Sequence, residues 1–196
     1  TRFKCDWSSD VCSSDLQRQH IEITRDIALR FNHRFGDTFV VPKAVTPAAG
    51  ARVMDLQSPT NKMSKSTDTE AGIIYLTDSP SDIEKKFKRA VTDSDNSVSY
   101  DREGKPGVSN LLDILSVATN TPVATLVENY SQYGKLKTDT GTAVAAMLEP
   151  IRVRYEELKS DPGELSRLLR IGAGRAQSVA ATTLDRAYRA IGLAAR

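Results

Sequence analysis

Cysteine, tryptophan and histidine are all scarce: the 196 residues hold two Cys, one Trp and two His. Two cysteines allow one disulfide at most and cannot close a zinc site alone. No run of eighteen apolar residues occurs, which excludes a membrane-spanning helix. Residues Thr1 to Leu16 lack an apolar centre and so do not read as a signal peptide. Neither sign of charge dominates. The 27 Lys and Arg against 25 Asp and Glu leave a net charge of +2, which argues against a generic nucleic-acid-coating protein. The acidic residues are scattered, and no pair stands out as general acid and base. What is present is 39% hydrophobic and 27% charged, the make-up of a water-soluble chain of cytoplasmic character. Its length allows one domain with a real core or two small ones.

The rare residues are not spread evenly. Cys5, Trp7 and Cys12 all fall within the first twelve positions. That stretch repeats itself loosely, Trp7-Ser8-Ser9-Asp10-Val11 against Cys12-Ser13-Ser14-Asp15-Leu16, and carries no helical or strand periodicity. It resembles the peptide that a sequencing-library adapter encodes when translated. Residues 1–16 are therefore set aside as a non-native segment, and its cysteines and tryptophan say nothing about redox compartment.

From Gln17 the pattern becomes regular. Ile23, Ile27 and Phe31 recur at four-residue spacing and predict an amphipathic helix to Arg34, ended by Gly36-Asp37. Thr38 to Val41 reads as a short strand stopped by Pro42. Lys43 to Thr69 reads as a long loop, and a loop of that length in a compact domain is usually functional or disordered. Gly72 to Thr77 reads as extended. A helix capped by Ser79 or Ser81 then runs to about Val91, its acids early and its lysines late, as suits the helix dipole. Asp93 to Gly107 is a polar loop or short hairpin.

Past Pro106 the pattern is helical throughout. The stripe Val108, Leu111, Leu112, Leu115 and Ala118 is followed by a helix opened by Thr121-Pro122 and ended by Gly134. A longer helix from Val144 to Leu158 must absorb Pro150. A short helix at Leu165 to Leu169 and a last one from Val179 to Ile191 complete the pattern. Between them, Gly172-Ala173-Gly174 lacks the preceding strand of a nucleotide-binding loop and reads as a turn or a close helix contact. Asp93 to Ser97 starts like a calcium loop, but Val98 replaces its glycine and Gly104 its final carboxylate.

One pentapeptide carries chemistry: Lys62-Met63-Ser64-Lys65-Ser66, inside the long loop. Ammonium groups act as strong point charges toward phosphate, and serine hydroxyls and loop amides add donors. A loop can close on a polyphosphate and grip hardest in the transition state. Its chance occurrence in a chain of this size is on the order of one in ten thousand.

KMSKS is the second signature of the class I aminoacyl-tRNA synthetases, and the wider sequence resembles the tryptophanyl-tRNA synthetase family. The resembling stretches are QRQHIEITRDIALRFN (17–32), ARVMDLQSPTNKMSKS (51–66) and AVTDSDNSVSYDREGKPGVSNLLDIL (90–115). Tyrosyl-tRNA synthetase is the nearest relative. The resemblance implies the C-terminal part of a Rossmann-like nucleotide-binding fold over residues 17–105, an α/β remnant. An all-α bundle at 106–196, the anticodon-binding domain, follows it, so the chain is mostly helical overall. It implies ATP-dependent ligation of tryptophan to tRNA(Trp) through a tryptophanyl-adenylate, with ATP and Mg2+, in a homodimer with no membrane attachment. Lys62 and Lys65 would act on the pyrophosphate leaving group. Ser64 and Ser66 would add loop contacts, Val53 would meet adenine through its backbone, and Met63 and Gln17 would belong to the ATP site.

The departures are specific. No HIGH-type tetrapeptide is present: His20 precedes Ile21-Glu22-Ile23, and His33 stands apart. Ser14-Asp15-Leu16 stands where the family carries Gly-Glu-Asp, and only Gln17 of that ATP contact survives. The reading is a fragment, inactive alone. The alternatives are a non-catalytic tRNA-binding paralogue or remnant, and a tyrosyl relative. Arg152, Arg154, Arg167, Arg170, Arg175, Arg186 and Arg189 give the last part a basic tilt suited to phosphate. Without preceding strands, the first hundred residues are expected to fold poorly alone, leaving Ile23, Ile27 and Phe31 uncovered.

Overall fold

The computed structural model describes residues 10–12, 18–45, 52–65 and 69–193. Gln17 and Ser66 lie outside them. The chain divides into two units, Thr1–Pro47 with Asp161–Arg196, and Ala48–Ser160. Helix dominates both.

In the first unit, strand β1 (Asp10–Cys12) pairs in parallel with β2 (Lys43–Val45), Val11 opposite Ala44. Residues 10–12 thus form a strand that no periodicity announced, because three residues are too few to alternate visibly. Helix α1 (Arg18–Phe35) follows the predicted bounds and ends where Gly36 turns at φ 85°. The apolar stripe at Ile23 and Ile27 is left uncovered, as expected. Ile21 and Ala28 are buried, whereas Ile23 and Ile27 are 55% and 61% exposed. Arg25 and Asn32 share the buried face and hold the following turn, Arg25 donating to the Pro42 carbonyl. The Asn32 side chain accepts from the amides of Thr38 (3.1 Å) and Phe39 (2.9 Å) and donates to the Phe39 carbonyl (2.7 Å). Those amides are therefore spent on a side chain, and the strand expected at Thr38 to Val41 does not form. Phe31 packs on Phe35 and Phe39 at centroid distances of 4.9 and 4.8 Å.

Helix α6 (Pro162–Ala190) also belongs to this unit. Asp161 caps it by accepting from the Glu164 amide at 2.9 Å. The two helices expected here are one. Gly172 and Gly174 lie inside it with nothing within 4 Å of where a Cβ would stand, so they mark neither a turn nor a close contact.

The second unit is organised around helices α2 (Pro80–Lys88), α3 (Pro106–Thr119), α4 (Val123–Asn129) and α5 (Tyr133–Ser160). Ser79 caps α2 by accepting from the Asp82 amide at 3.2 Å. Gly134 does not end a helix; it stands in the first turn of α5, which also runs through Pro150. Helices α2 and α3 both pack on α5. At the first crossing a Cβ on Gly141 would come within 3.2 Å of the Glu84 backbone. The core joins Leu56, Ile83 and Phe87 to Val108, Leu111, Leu112, Leu115, Leu136 and Val144. Leu56, Ile83 and Phe87 are thus buried against the helices that follow them.

The polar loop at 93–105 is held by Lys105. Its ammonium reaches Asp95 (3.0 Å), Asp93 (3.4 Å), the Ser97 carbonyl (3.1 Å) and the Tyr133 hydroxyl (3.2 Å). Burial works against the charged amine, but the hydrogen bonds it donates to Asp95, Tyr133 and Asp93 outweigh it and raise the Lys105 pKa. Tyr133 donates to Asp93 at 2.5 Å and holds that carboxyl below the usual carboxylate range against its partial burial.

Candidate active site

The stretch predicted as a structureless loop contains a hairpin. Met54 and Lys62 form an antiparallel bridge. On either side of it the Asp55 amide donates to the Asn61 carbonyl (2.9 Å) and the Met63 amide to the Val53 carbonyl (3.0 Å). Ser58 to Asn61 close the turn, with the Asn61 amide on the Ser58 carbonyl at 2.8 Å. Prolines, Ser, Thr and Asn read as loop because the paired segment is only one bridge long and offers no alternation to count.

Asp55 shapes the stem. It is buried, and one carboxylate oxygen accepts from the amides of Gln57 (2.7 Å) and Ser58 (2.9 Å), which bends the chain after the bridge. Its other oxygen has no partner among the described residues. A Cβ on Gly72 would lie 2.1 Å from this carboxylate, so position 72 must stay glycine while Asp55 is there. The stem is tied to the unit at further points. The Leu56 amide donates to the Gly72 carbonyl (3.0 Å), and the Val91 amide to the Leu56 carbonyl (2.7 Å). From α3, the Asn110 side chain accepts from the Met54 amide (3.0 Å) and donates to the Met54 carbonyl (2.9 Å). No pattern in the sequence singled out Asp55 or Asn110.

This frame carries the predicted residues. Val53 and Met63 come together and line one apolar cavity of about 270 Å³ with Ile74, Leu76, Val117 and Met147. Met63, Ser64 and Lys65 line another of about 360 Å³ against residues 73–77. Lys62 is half-buried and Lys65 exposed. Neither ammonium makes an ion pair with a described residue, whereas Lys85, Lys86, Lys105 and Lys135 all do. A second cavity of about 270 Å³ adjoins the stem, lined by Arg52, Met54, Arg102, Asn110 and Asp113. Among the described residues no cluster of three His, Cys, Asp or Glu could hold a metal ion.

A model of the class I tRNA synthetases (W and Y) matches residues 14–152. The chain belongs to this family. It is 53% identical over 186 residues to the tryptophan–tRNA ligase 1 of Streptomyces coelicolor, covering 95% of this chain and 55% of that one. It is 53% identical over 180 residues to the tryptophan–tRNA ligase of Leifsonia xyli, covering 91% and 53%. In structure it resembles the tryptophanyl-tRNA synthetase of Mycoplasma pneumoniae, with a TM-score of 0.81 at 32% identity over 92% of this chain and 57% of that one. The Campylobacter jejuni enzyme, solved with ADP and tryptophan, matches at a TM-score of 0.63 and 29% identity over 94% and 57%. The chain spans about half the length of the curated relatives it matches. The mostly helical fold agrees with the expectation drawn from the KMSKS resemblance. These tryptophan enzymes do not favour the tyrosyl or the non-catalytic alternative.

Proposed function

We propose that this chain is part of an enzyme that activates tryptophan with ATP and transfers it to tRNA(Trp). The observation that carries this reading is the hairpin that presents Lys62 to Lys65 beyond a fixed stem, with both ammonium groups unpaired among the described residues. Attack of the tryptophan carboxylate on the α-phosphorus expels pyrophosphate. That step demands positioning and charge stabilisation more than proton transfer. Lys62 and Lys65 hold the departing charge, and Ser64 and Ser66 add donors from the same loop. Val53 meets adenine through its backbone, with Met63 beside it, the Met63 amide donating to the Val53 carbonyl. Gln17 is assigned to the nucleotide by its position in the resemblance. Mg2+ would arrive on the phosphates of ATP.

We assign residues 17–105 to the catalytic side of the enzyme and 106–196 to anticodon recognition. The division is one of function, since Leu56, Ile83 and Phe87 share a core with α3 and α5. Arg170, Arg175, Arg186 and Arg189 on α6 are exposed and make no ion pair with a described residue, which leaves their charge to phosphate. Arg152, Arg154 and Arg167 are each engaged by a glutamate within three residues. A homodimer in the cytoplasm completes the reading. Among the described residues no helix is long and apolar enough to cross a membrane.

The test is ATP–pyrophosphate exchange by the complete enzyme carrying this sequence, with tryptophan and tyrosine compared. Tryptophan-dependent exchange supports the reading. Exchange with tyrosine alone, or with neither amino acid, overturns it.

A further inference from the structure

We propose that Asn110 is a positioning residue for the phosphate-gripping loop. The inference rests on the reading above that Lys62 and Lys65 act on the phosphates of ATP. Asn110 stands on α3 between Ser109 and Leu111, both 1% exposed, and is itself 3% exposed. An aliphatic side chain would suit that surface. Instead the position carries a primary amide, and both of its polar atoms go to the backbone of one residue 56 positions earlier. Its oxygen accepts from the Met54 N–H at 3.0 Å and its nitrogen donates to the Met54 C=O at 2.9 Å. The orientation is unambiguous, because a backbone N–H only donates and a backbone carbonyl only accepts.

Met54 is the residue through which the stem controls the loop. It bridges directly to Lys62, and its neighbour Val53 takes the Met63 amide at 3.0 Å. Whatever moves the Met54 backbone therefore moves the first lysine of the signature and the wall of the apolar cavity together. The other ties to the unit, from Gly72 and Val91, hold Leu56 on the far side of the Asp55 bend. Asn110 is the described side chain that holds Met54 itself. It joins the loop to a helix whose Val108, Leu111, Leu112 and Leu115 are rooted in the core against α5. The base of the loop thus keeps a set place.

Two variants test this, Asn110→Leu, which removes both hydrogen bonds, and Asn110→Asp, which keeps the shape and loses the donor. Leu126→Ala serves as a control that loosens the core without touching the stem. Amide hydrogen exchange of the 196-residue chain is read at Met54 and Met63. Asn110→Leu should speed both by about tenfold beyond the control, and Asn110→Asp by less. In the complete enzyme, kcat per titrated active site should fall by about tenfold or more in Asn110→Leu, with the KM for tryptophan little changed and Leu126→Ala close to wild type. Unchanged protection at Met54 and Met63 overturns the proposal, and so does faster exchange with an unchanged kcat. An inactive wild type sinks the proposed function instead, and exchange at Met54 and Met63 then still decides whether Asn110 holds the stem.

Discussion

Gly107→Ala separates propensity from packing. Gly107 stands in the first turn of α3, where glycine ordinarily weakens a helix, and replacing it with alanine in a helix is worth up to about 1 kcal/mol. Its backbone is not in the left-handed region, so a side chain is conformationally allowed. The surroundings reverse the sign. A Cβ there would sit 2.2 Å from the Val91 carbonyl oxygen and 3.2 Å from its carbon. Both are backbone atoms and cannot swing aside. Restoring a 3.0 Å contact requires the start of α3 and the 91–92 segment to part by 0.8 Å, the difference between those distances. Val91 is pinned by its amide to Leu56 at 2.7 Å, and Asn110 is pinned to Met54, so the strain reaches the hairpin stem. Overpacking of this kind costs about 1–3 kcal/mol. With backbone on both sides the upper part of that range applies, and after the propensity gain about 2 kcal/mol of net destabilisation remains. For a unit of this size that lowers Tm by roughly 8 °C or more. Thermal unfolding followed by circular dichroism reads it. A Tm at or above wild type would refute the argument that the Gly107–Val91 approach is obligatory.

The remaining expectations follow from the same reasoning. Gly172→Ala and Gly174→Ala meet open space inside α6, so each should stabilise that helix by about 1 kcal/mol, read as a higher melting temperature; a loss of stability would show that these glycines hold a contact. The Asp93 carboxyl is held low by Tyr133 above all, so its contribution is present above its unfolded value of 3.8 and is lost as pH falls below it. Tm profiles of wild type and Asp93→Asn should therefore converge as pH drops from about 5 to about 2, and parallel profiles would contradict the assignment. Lys65→Ala in the complete enzyme should lower kcat for pyrophosphate exchange by about a hundred to a thousandfold; unchanged exchange would remove Lys65 from the leaving-group site.

Much of the chain was legible from pattern. The bounds of α1, the Ser79 cap of α2 and the apolar stripe of α3 all stand where spacing placed them, because each buries a repeat long enough to count. The failures share a cause. At Asn32 and Asn110 a polar side chain takes backbone hydrogen bonds that a neighbouring strand would otherwise make, and composition reads asparagine only as a turn former. Gly172 and Gly174 read as a turn or a close helix contact, yet α6 passes through both. For the site, the pentapeptide was plain in the sequence, but its frame was not. Val53 and Met63 are ten residues apart, and only the Met54–Lys62 bridge makes them neighbours.

That frame bears on how the loop can be accurate. A lysine that grips developing charge must be free of partners beforehand, or breaking an ion pair would offset the gain. Lys62 and Lys65 meet that condition among the described residues. Freedom alone spreads the ammonium groups over many positions and costs side-chain entropy when they close. The stem removes part of that cost in advance. Asn110 holds the backbone at Met54, Gly72 and Val91 at Leu56, and Asp55 at Gln57 and Ser58, so the base of the loop is ordered before the nucleotide binds. Loosening the stem should therefore weaken the grip as surely as removing a lysine does. It should do so through every loop contact together, so Asn110→Leu combined with Lys65→Ala should cost less than the sum of the two alone. Strict additivity in the kcat of the double variant would mean that the stem and the lysine act independently.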